Sequence, residues 1–404
     1  MSQKLVSLNS DLSRLRADGL DITISKSKHL LVRGVPYVNA AREIKQGIIA
    51  SVLDLAGETT VPPESHVVFF AGEPPCDEHG TVLPGVSQNT NTALGEGLSP
   101  NHQISRKPTI GPTPGKYADF YEKIKTYIAI ICNPAQAVDQ TVTPYIYPIV
   151  MPEEDDDSVF NFLDTATTKA GIVAANRKLE GLKIAIIGVG GTGSYVLDFV
   201  AKTPVAEIHL FDYDVFLNHN AFRCPGSPVL DELNKKKKKV DYLNEIYSRM
   251  RKGIVTHDYP VDERAIEQLR NLSFVFICID KGSGKRLIVE RLQEWSIPFI
   301  DVGMGIQLGE DNTLGGIITV TTSTANKQNH VRNRTAFSDG EAVNEYSQNV
   351  HISELNALNA ALAVIKWKKI FGYYDDVVKE HYCAYTIRSN QLISEDTCED
   401  TYEA

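Results

Sequence analysis

Apolar and polar positions fall into two regimes along the chain. In the first 150 residues the runs HLLVRGV (29–35) and HVVFFAG (66–72) are rich in β-branched and aromatic residues and read as strands. The stretch 37–57 places apolar residues at helical spacing and predicts a helix, as does 117–131. Between them, residues 72–115 are rich in Gly, Pro and Asn and predict loop. This half reads as a smaller α+β domain.

Beyond residue 170 the pattern alternates. Continuous apolar strands are predicted at 183–189, 207–214, 274–280, 299–304 and 316–322, and helical stretches at 192–203, 230–250, 285–295 and 352–372. Gly372 is placed to stop the last helix. Such alternation predicts an α/β domain of Rossmann-like type, a mostly parallel sheet with helices on both faces. The run MPEEDDDS (151–158) holds five consecutive acidic residues and reads as a solvated linker. The expected layout is an N-terminal domain over 1–150, an acidic linker and lead-in over 151–169, the α/β domain over 170–380 and an acidic tail over 381–404.

Composition narrows the partners. A formal net charge of -10 disfavours nucleic acid and anionic membrane surfaces. No signal-like N-terminus or membrane-length apolar run stands in the sequence, so the expectation is a cytoplasmic protein. The six cysteines form no C-x-x-C pair, which removes the usual structural zinc signature and leaves reduced thiols as the expectation.

The chemistry concentrates after the first strand of the α/β domain. GVGGTG sets Gly188, Gly190 and Gly193 in G-x-G-x-x-G register, with Gly191 between them, at a strand-to-helix turn where amides and the helix dipole favour a phosphate. Asp212 ends the second strand, 19 residues after Gly193, where a carboxylate accepts hydrogen bonds from ribose hydroxyls. A NAD(P)-dependent oxidoreductase would share these features. It would not need Asp214, Asn220, Arg223 and the lysines 235–239 that follow, which suit phosphate chemistry. Asp280 closes a later strand, where an aspartate can cap the next turn, and Asp301 reads as a structural strand end. His219 reads as packing or a loop hydrogen bond.

As a set, G-x-G-G-x-G, D-x-D-x(5)-N-x-x-R, lysine before valine and a strand-ending aspartate resemble the adenylation domain of the ThiF, MoeB and ubiquitin-activating enzymes, over about residues 170–375. The resemblance implies ATP and Mg2+ as cofactors. It makes Asp212 the ribose ligand, Asn220 and Arg223 the triphosphate pair, Lys239 the phosphate lysine, although any of the five lysines could reach in, and Asp280 the magnesium ligand. Arg177 resembles, more loosely, an arginine supplied near the γ-phosphate, often across a homodimer. The implied activity is adenylation of the C-terminal carboxylate of a ubiquitin-like protein or a peptide, with a non-catalytic activating-enzyme-like subunit as an alternative. The N-terminal half resembles an uncharacterised bacterial domain fused ahead of ThiF-type domains, in fusions associated with ubiquitin-like conjugation and antiphage defence. That implies recruitment of the ubiquitin-like protein or a conjugating enzyme. Cys76, His79 and His102 read as a fortuitous grouping there.

The chain departs from that family in three places. It has no paired C-x-x-C, no cysteine in 321–350 where thioester-forming members carry one, and Cys224 where glutamine usually follows the arginine. Acyl-adenylate without an internal thioester is therefore expected. Among the cysteines Cys224 ranks first, on the expectation that Arg223 lowers its pKa, and the acidic surroundings of Cys398 disfavour it.

Overall fold

A computed structural model describes residues 2–88, 94, 98–108, 115–152, 158–280, 282–337 and 350–397. The chain divides into two compact units, one of residues 1–157 and 162–172, the other of residues 158–161 and 173–404.

The first unit is built on a sheet in the order β1 (Asp21–Ile24), β2 (His29–Val38), β3 (Ile44–Val52), β6 (Val67–Ala71), β8 (His102–Ser105) and β7 (Val86–Gln88), with the small pair β4 (Leu55–Ala56) and β5 (Thr59–Thr60) beside it. The helix Phe120–Val138 packs on it, and Asp119 caps that helix by accepting from Glu122 N. Leu30, Val32, Val68, Phe70, Ile124 and Tyr127 lie in the shared core. The helix predicted over 37–57 is absent: the segment runs through the end of β2, a turn at 39–43 and β3. The turn carries Arg42 at φ 65, with the Asn39 side chain accepting from Glu43 N, and Ile44, Ile48 and Ile49 suit a strand. Two pieces of the expected loop, β7 and β8, are strands; 89–93, 95–97 and 109–114 lie outside the described residues.

The second unit holds an eight-stranded sheet in the order β11 (Ile254–His257), β10 (Glu207–Phe211), β9 (Lys183–Ile187), β12 (Phe274–Ile277), β13 (Phe299–Leu308), β14 (Leu314–Ser323), β15 (Tyr382–Thr386) and β16 (Gln391–Glu395). From β11 to β13 the pairs are parallel, and from β13 onward antiparallel. Helices Gly191–Ala201, Lys239–Tyr247 and Ser353–Ile370 contribute to the core on one face, and helix Gly282–Glu294 with a 3-10 turn at Ile266–Leu269 to the core on the other. β9 is central, so the chain leaves it toward β10 and later returns on its other side at β12. That reversal opens a crevice at the carboxyl ends of the strands, the usual place for a ligand in such sheets.

Two readings of this half change. Residues 382–386 and 391–395 are strands rather than an acidic tail. Their charge is accommodated because β16 is an exposed edge strand and Arg334 pairs with Glu395 and with Asp396 at 3.0 Å. The helix expected over 230–250 is broken at 235–238, where Lys236 takes φ 45. β11 carries no long apolar run and escapes sequence reading.

Candidate active site

Gly188 follows β9 with φ 85, and a Cβ there would sit 2.6 Å from Cys278 O. Its N–H donates to Phe211 O at 2.8 Å, which ties the turn to β10. Gly190 begins the helix Gly191–Ala201, and a Cβ on it would meet open space; a Cβ on Gly191 would lie 2.4 Å from the Asn356 side chain. Gly193 works differently. Its Cβ would stand 1.9 Å from Gly188 O, so this glycine permits the strand and helix to touch rather than lining the cavity.

That cavity measures about 380 Å3. Its wall brings together Gly188, Gly190, Gly191, Asp212, Asp214, Arg223, Lys239 and Asp280, drawn from separate stretches of sequence. Asp212 is oriented by two backbone donors, Val189 N at 2.9 Å to Oδ2 and Asp214 N at 2.9 Å to Oδ1. Lys239 is 7% exposed, with Nζ 2.7 Å from Asp214 and 3.7 Å from Asp212. The break at 235–238 singles it out: Lys237 pairs with Glu245, Lys238 donates to Tyr213 O, and Lys239 alone of the five lines the cavity.

Asp280 faces it with a side chain 69% exposed, 3.4 Å from His351 Nε2. Hydrogen bonding to His351, aided by the charges of Lys285 and Arg223, holds its carboxyl below the usual range, so it is ionised at neutral pH. Beneath it Lys285 and Asp301 form a buried pair at 2.7 Å. Burial pushes Asp301 up while Lys285 pulls it back, in keeping with a structural role.

Asn220 is 3% exposed and caps its own turn, Oδ1 accepting from Leu217 N at 2.9 Å. It does not line the cavity, yet its Nδ2, like Arg223 Nε, is buried without a hydrogen-bond partner among the described residues. Arg177 ends the helix Val173–Arg177, exposed and away from the cavity wall. His219 is exposed, so the packing reading does not hold.

The sequence reading missed residues from farther along the chain, some on the cavity wall and one, Asn356, behind it. Asn356, fully buried, accepts from Thr192 Oγ1 at 3.0 Å and donates to Arg223 O at 3.4 Å, joining the glycine turn to the arginine loop. Tyr259 closes another side, its hydroxyl donating to Gln268 at 3.0 Å and lying 2.9 Å from His257 Nδ1; His257 stacks on Phe211 at 4.1 Å. His351 and Asn359 complete the far end. Only the polar periodicity of ISELNALNAAL hinted at any of these.

The reactive-cysteine ranking is corrected. Burial pushes the Cys224 thiol up to about 11, and the Arg223 charge only partly opposes it. Cys383 is likewise raised to about 11, and burial also raises Cys278, while Cys398 lies outside the described residues. In the first unit Cys76 and His102 are buried and His79 exposed, and no group of three metal-ligating side chains occurs among the described residues. No helix among them is long and apolar enough to cross a membrane.

A crevice at the strand ends thus gathers a glycine turn, a buried lysine between carboxylates and a facing aspartate on one α/β domain. Residues 166–399 match the ThiF family model, and the chain belongs to that family. Residues 10–165 match a domain of unknown function, DUF6791. Among curated relatives, the "Ubiquitin-like modifier-activating enzyme 5" of Aedes aegypti is 24% identical over 152 residues, 34% of this chain and 38% of that protein. Its Culex quinquefasciatus counterpart is 25% identical over 155 residues, with the same coverage. The match thus spans under two fifths of these relatives' length. Among solved structures, E. coli MccB with ATP aligns at a TM-score of 0.46 and 16% identity, over 59% of this chain and 71% of that one.

Proposed function

We propose that the second unit adenylates the C-terminal carboxylate of a ubiquitin-like protein or peptide, using ATP and Mg2+. The observation that carries this reading is Lys239, a buried cation held between Asp212 and Asp214 at the mouth of the glycine turn, with ionised Asp280 across the same cavity. The residues fit such a nucleotide. Gly190 leaves open space at a helix N-terminus, and Arg223, on the cavity wall, carries a buried Nε lacking an acceptor among the described residues. Asp280 suits Mg2+, which takes one or two carboxylates and completes its shell with phosphate and water.

ATP supplies the α-phosphate that converts an unreactive carboxylate into an acyl-adenylate, with pyrophosphate leaving. Asp212 would orient the ribose, Lys239 and Arg223 would balance phosphate charge as it develops, and Asp280 would hold the cation beside it. The cysteine environments favour an adenylate attacked directly by a nucleophile on a separate carrier or conjugating protein. In a bacterial conjugation pathway, antiphage defence included, the first unit would recruit those partners. Arg177, off its own cavity, would serve a second copy in a homodimer.

ATP–pyrophosphate exchange tests the reading. Mg-ATP should raise the melting temperature through linkage and NAD should not. Asp280→Ala should abolish exchange in the presence of the carboxylate substrate and leave the fold intact. Stabilisation by NAD alone, or undiminished exchange in the variant, would overturn it.

A further inference from the structure

Behind the aromatic wall of the cavity runs a chain of hydrogen bonds that the proposed chemistry does not use. Glu207, His209 and Phe211 alternate along β10 and so share one face of the sheet, and the register sets His257 of β11 beside Phe211. His257 lies flat on Phe211, with ring centroids 4.1 Å apart and planes 8° apart. Its Nδ1 is 2.9 Å from the Tyr259 hydroxyl and its Nε2 3.1 Å from His209 Nδ1. His209 Nε2 is in turn 3.0 Å from Glu207 Oε2, and Tyr259 donates to Gln268 Oε1 at 3.0 Å. Phe211 and Tyr259 line the cavity, and the two histidines are not part of its described wall.

The hydrogens along this chain determine its charge. There are four gaps, and each needs one hydrogen. Both ends are acceptors: Lys183, 2.8 Å away, and then His209 hold the Glu207 carboxyl below the usual range, and Gln268 offers its carbonyl oxygen. Two neutral imidazoles and one phenol bring three hydrogens to the four gaps, one too few. The chain in this arrangement therefore holds an extra proton. Tyr259 donates to Gln268, so His257 Nδ1 donates to Tyr259; His257 Nε2 then accepts from His209 Nδ1, and His209 Nε2 donates to Glu207. That makes His209 the imidazolium. Burial and the neighbouring His209 hold His257 below the usual histidine range, in keeping with a neutral ring there. Loss of the proton is accommodated by turning the amide of Gln268, which is exposed. Its NH2 then donates to Tyr259, and the bonds from Tyr259 to His257 and from His257 to His209 reverse. The titratable and charged groups facing the pair are Glu207, with Lys183 of β9 beyond it, and Tyr259 at the other end. The 3-10 turn presents neutral Gln268, and its Glu267 pairs with Arg270 at 3.5 Å.

We propose that His257 and His209 are positioning residues of the nucleotide cavity, which fix the Phe211–Tyr259 wall and couple one proton to its occupancy. This rests on the nucleotide reading of that cavity. A nucleotide brings negative charge to the wall and favours the protonated chain, so by reciprocity its affinity falls as the proton leaves with rising pH. The test is calorimetric binding of Mg-ATP to the full chain between about pH 6 and 8.5, the range in which histidine changes charge, with nitrogen-15 spectra of the histidine rings recorded without nucleotide. His209→Gln, which cannot take the extra proton, should bind several-fold more weakly than wild type at the acid end and converge with it at the alkaline end. Every other group on the cavity, His351 included, is common to both proteins, so the ratio of affinities isolates the pair. His257→Phe keeps a ring on Phe211 but breaks the chain; it should follow His209→Gln, and provides the check if that variant does not fold. At the acid end the spectra should show His209 protonated on both nitrogens and His257 on Nδ1 alone. Parallel pH profiles in wild type and variants, or two neutral rings at the acid end, overturn the proposal and leave the nucleotide reading standing. No binding of Mg-ATP by the wild type at any pH overturns both.

Discussion

Lys239 is both a buried charge and a cation on the wall of the cavity that the glycine turn lines. Removing it leaves Asp212 and Asp214 facing each other without a counter-charge. Lys239→Met is expected to lower ATP–pyrophosphate exchange by about 100-fold or more, the usual scale for losing a preorganised electrostatic contact. Unchanged exchange would show that phosphate charge is met elsewhere. Lys123 makes a different prediction. Its ammonium, 1% exposed, donates to Ser51 Oγ at 2.9 Å and Ser65 O at 2.7 Å, and burial pushes it down to about 8. An unfolded lysine holds its proton to about pH 10.4. Between about pH 8 and 10 the unfolded chain therefore binds more protons, and stability should rise with pH across that window, by about 3 kcal/mol at full effect. Denaturant titrations of wild type and Lys123→Met at pH 7.5 and 9.5 measure it: the variant should lack the rise, and equal slopes would place that proton elsewhere. At this scale the motif residues were legible because their spacing is set by a strand and a turn, both local. Asn359, Tyr259 and His351 were not, because long-range folding alone brings them to the cavity.

At the scale of elements, the inner parallel strands β9 and β12 were readable since each is buried on both faces and so is written as an unbroken apolar run, whereas the edge strand β11 is not. The same logic misled over 37–57, where two strands around a turn mimic helical spacing, and local pattern does not register that Gly47 lies against Phe70 of β6, a Cβ there meeting the ring at 2.3 Å. Helix breaks such as 235–238 also escape periodicity, although this one decides which lysine enters the cavity. The contact between β9 and the helix Gly191–Ala201 has no slack, so Gly193→Ala should force them apart. We expect a loss of about 1–3 kcal/mol, the scale of overpacking, with nucleotide affinity falling alongside stability. Gly190→Ala, which meets only open space, should leave stability nearly unchanged, and a comparable loss in both would contradict this account of the turn.

At the scale of the whole molecule, the two-unit organisation was visible in the shift from mixed patterning to strand–helix alternation. The last two strands were hidden by their charge. Because β15 pairs with β14, truncation after residue 380 strips a partner from an internal strand. The shortened chain should be markedly less stable and prone to associate through the bared edge; an unchanged melting temperature would return 381–404 to the status of a tail. The route of the chain carries a further consequence. Residues 158–161 belong to the second unit, bonded there through Asn161 N to Met250 O at 2.8 Å, but 162–172 return to the first, where the helix Thr165–Lys169 packs on Ser10–Ala17. A protease that cuts the acidic run 153–157 would therefore not release two independent pieces. The carboxyl-terminal fragment would keep its grip on the amino-terminal one through a borrowed helix. The nicked protein should migrate as two bands on a denaturing gel and elute as a single species from a sizing column until denaturant loosens that clasp.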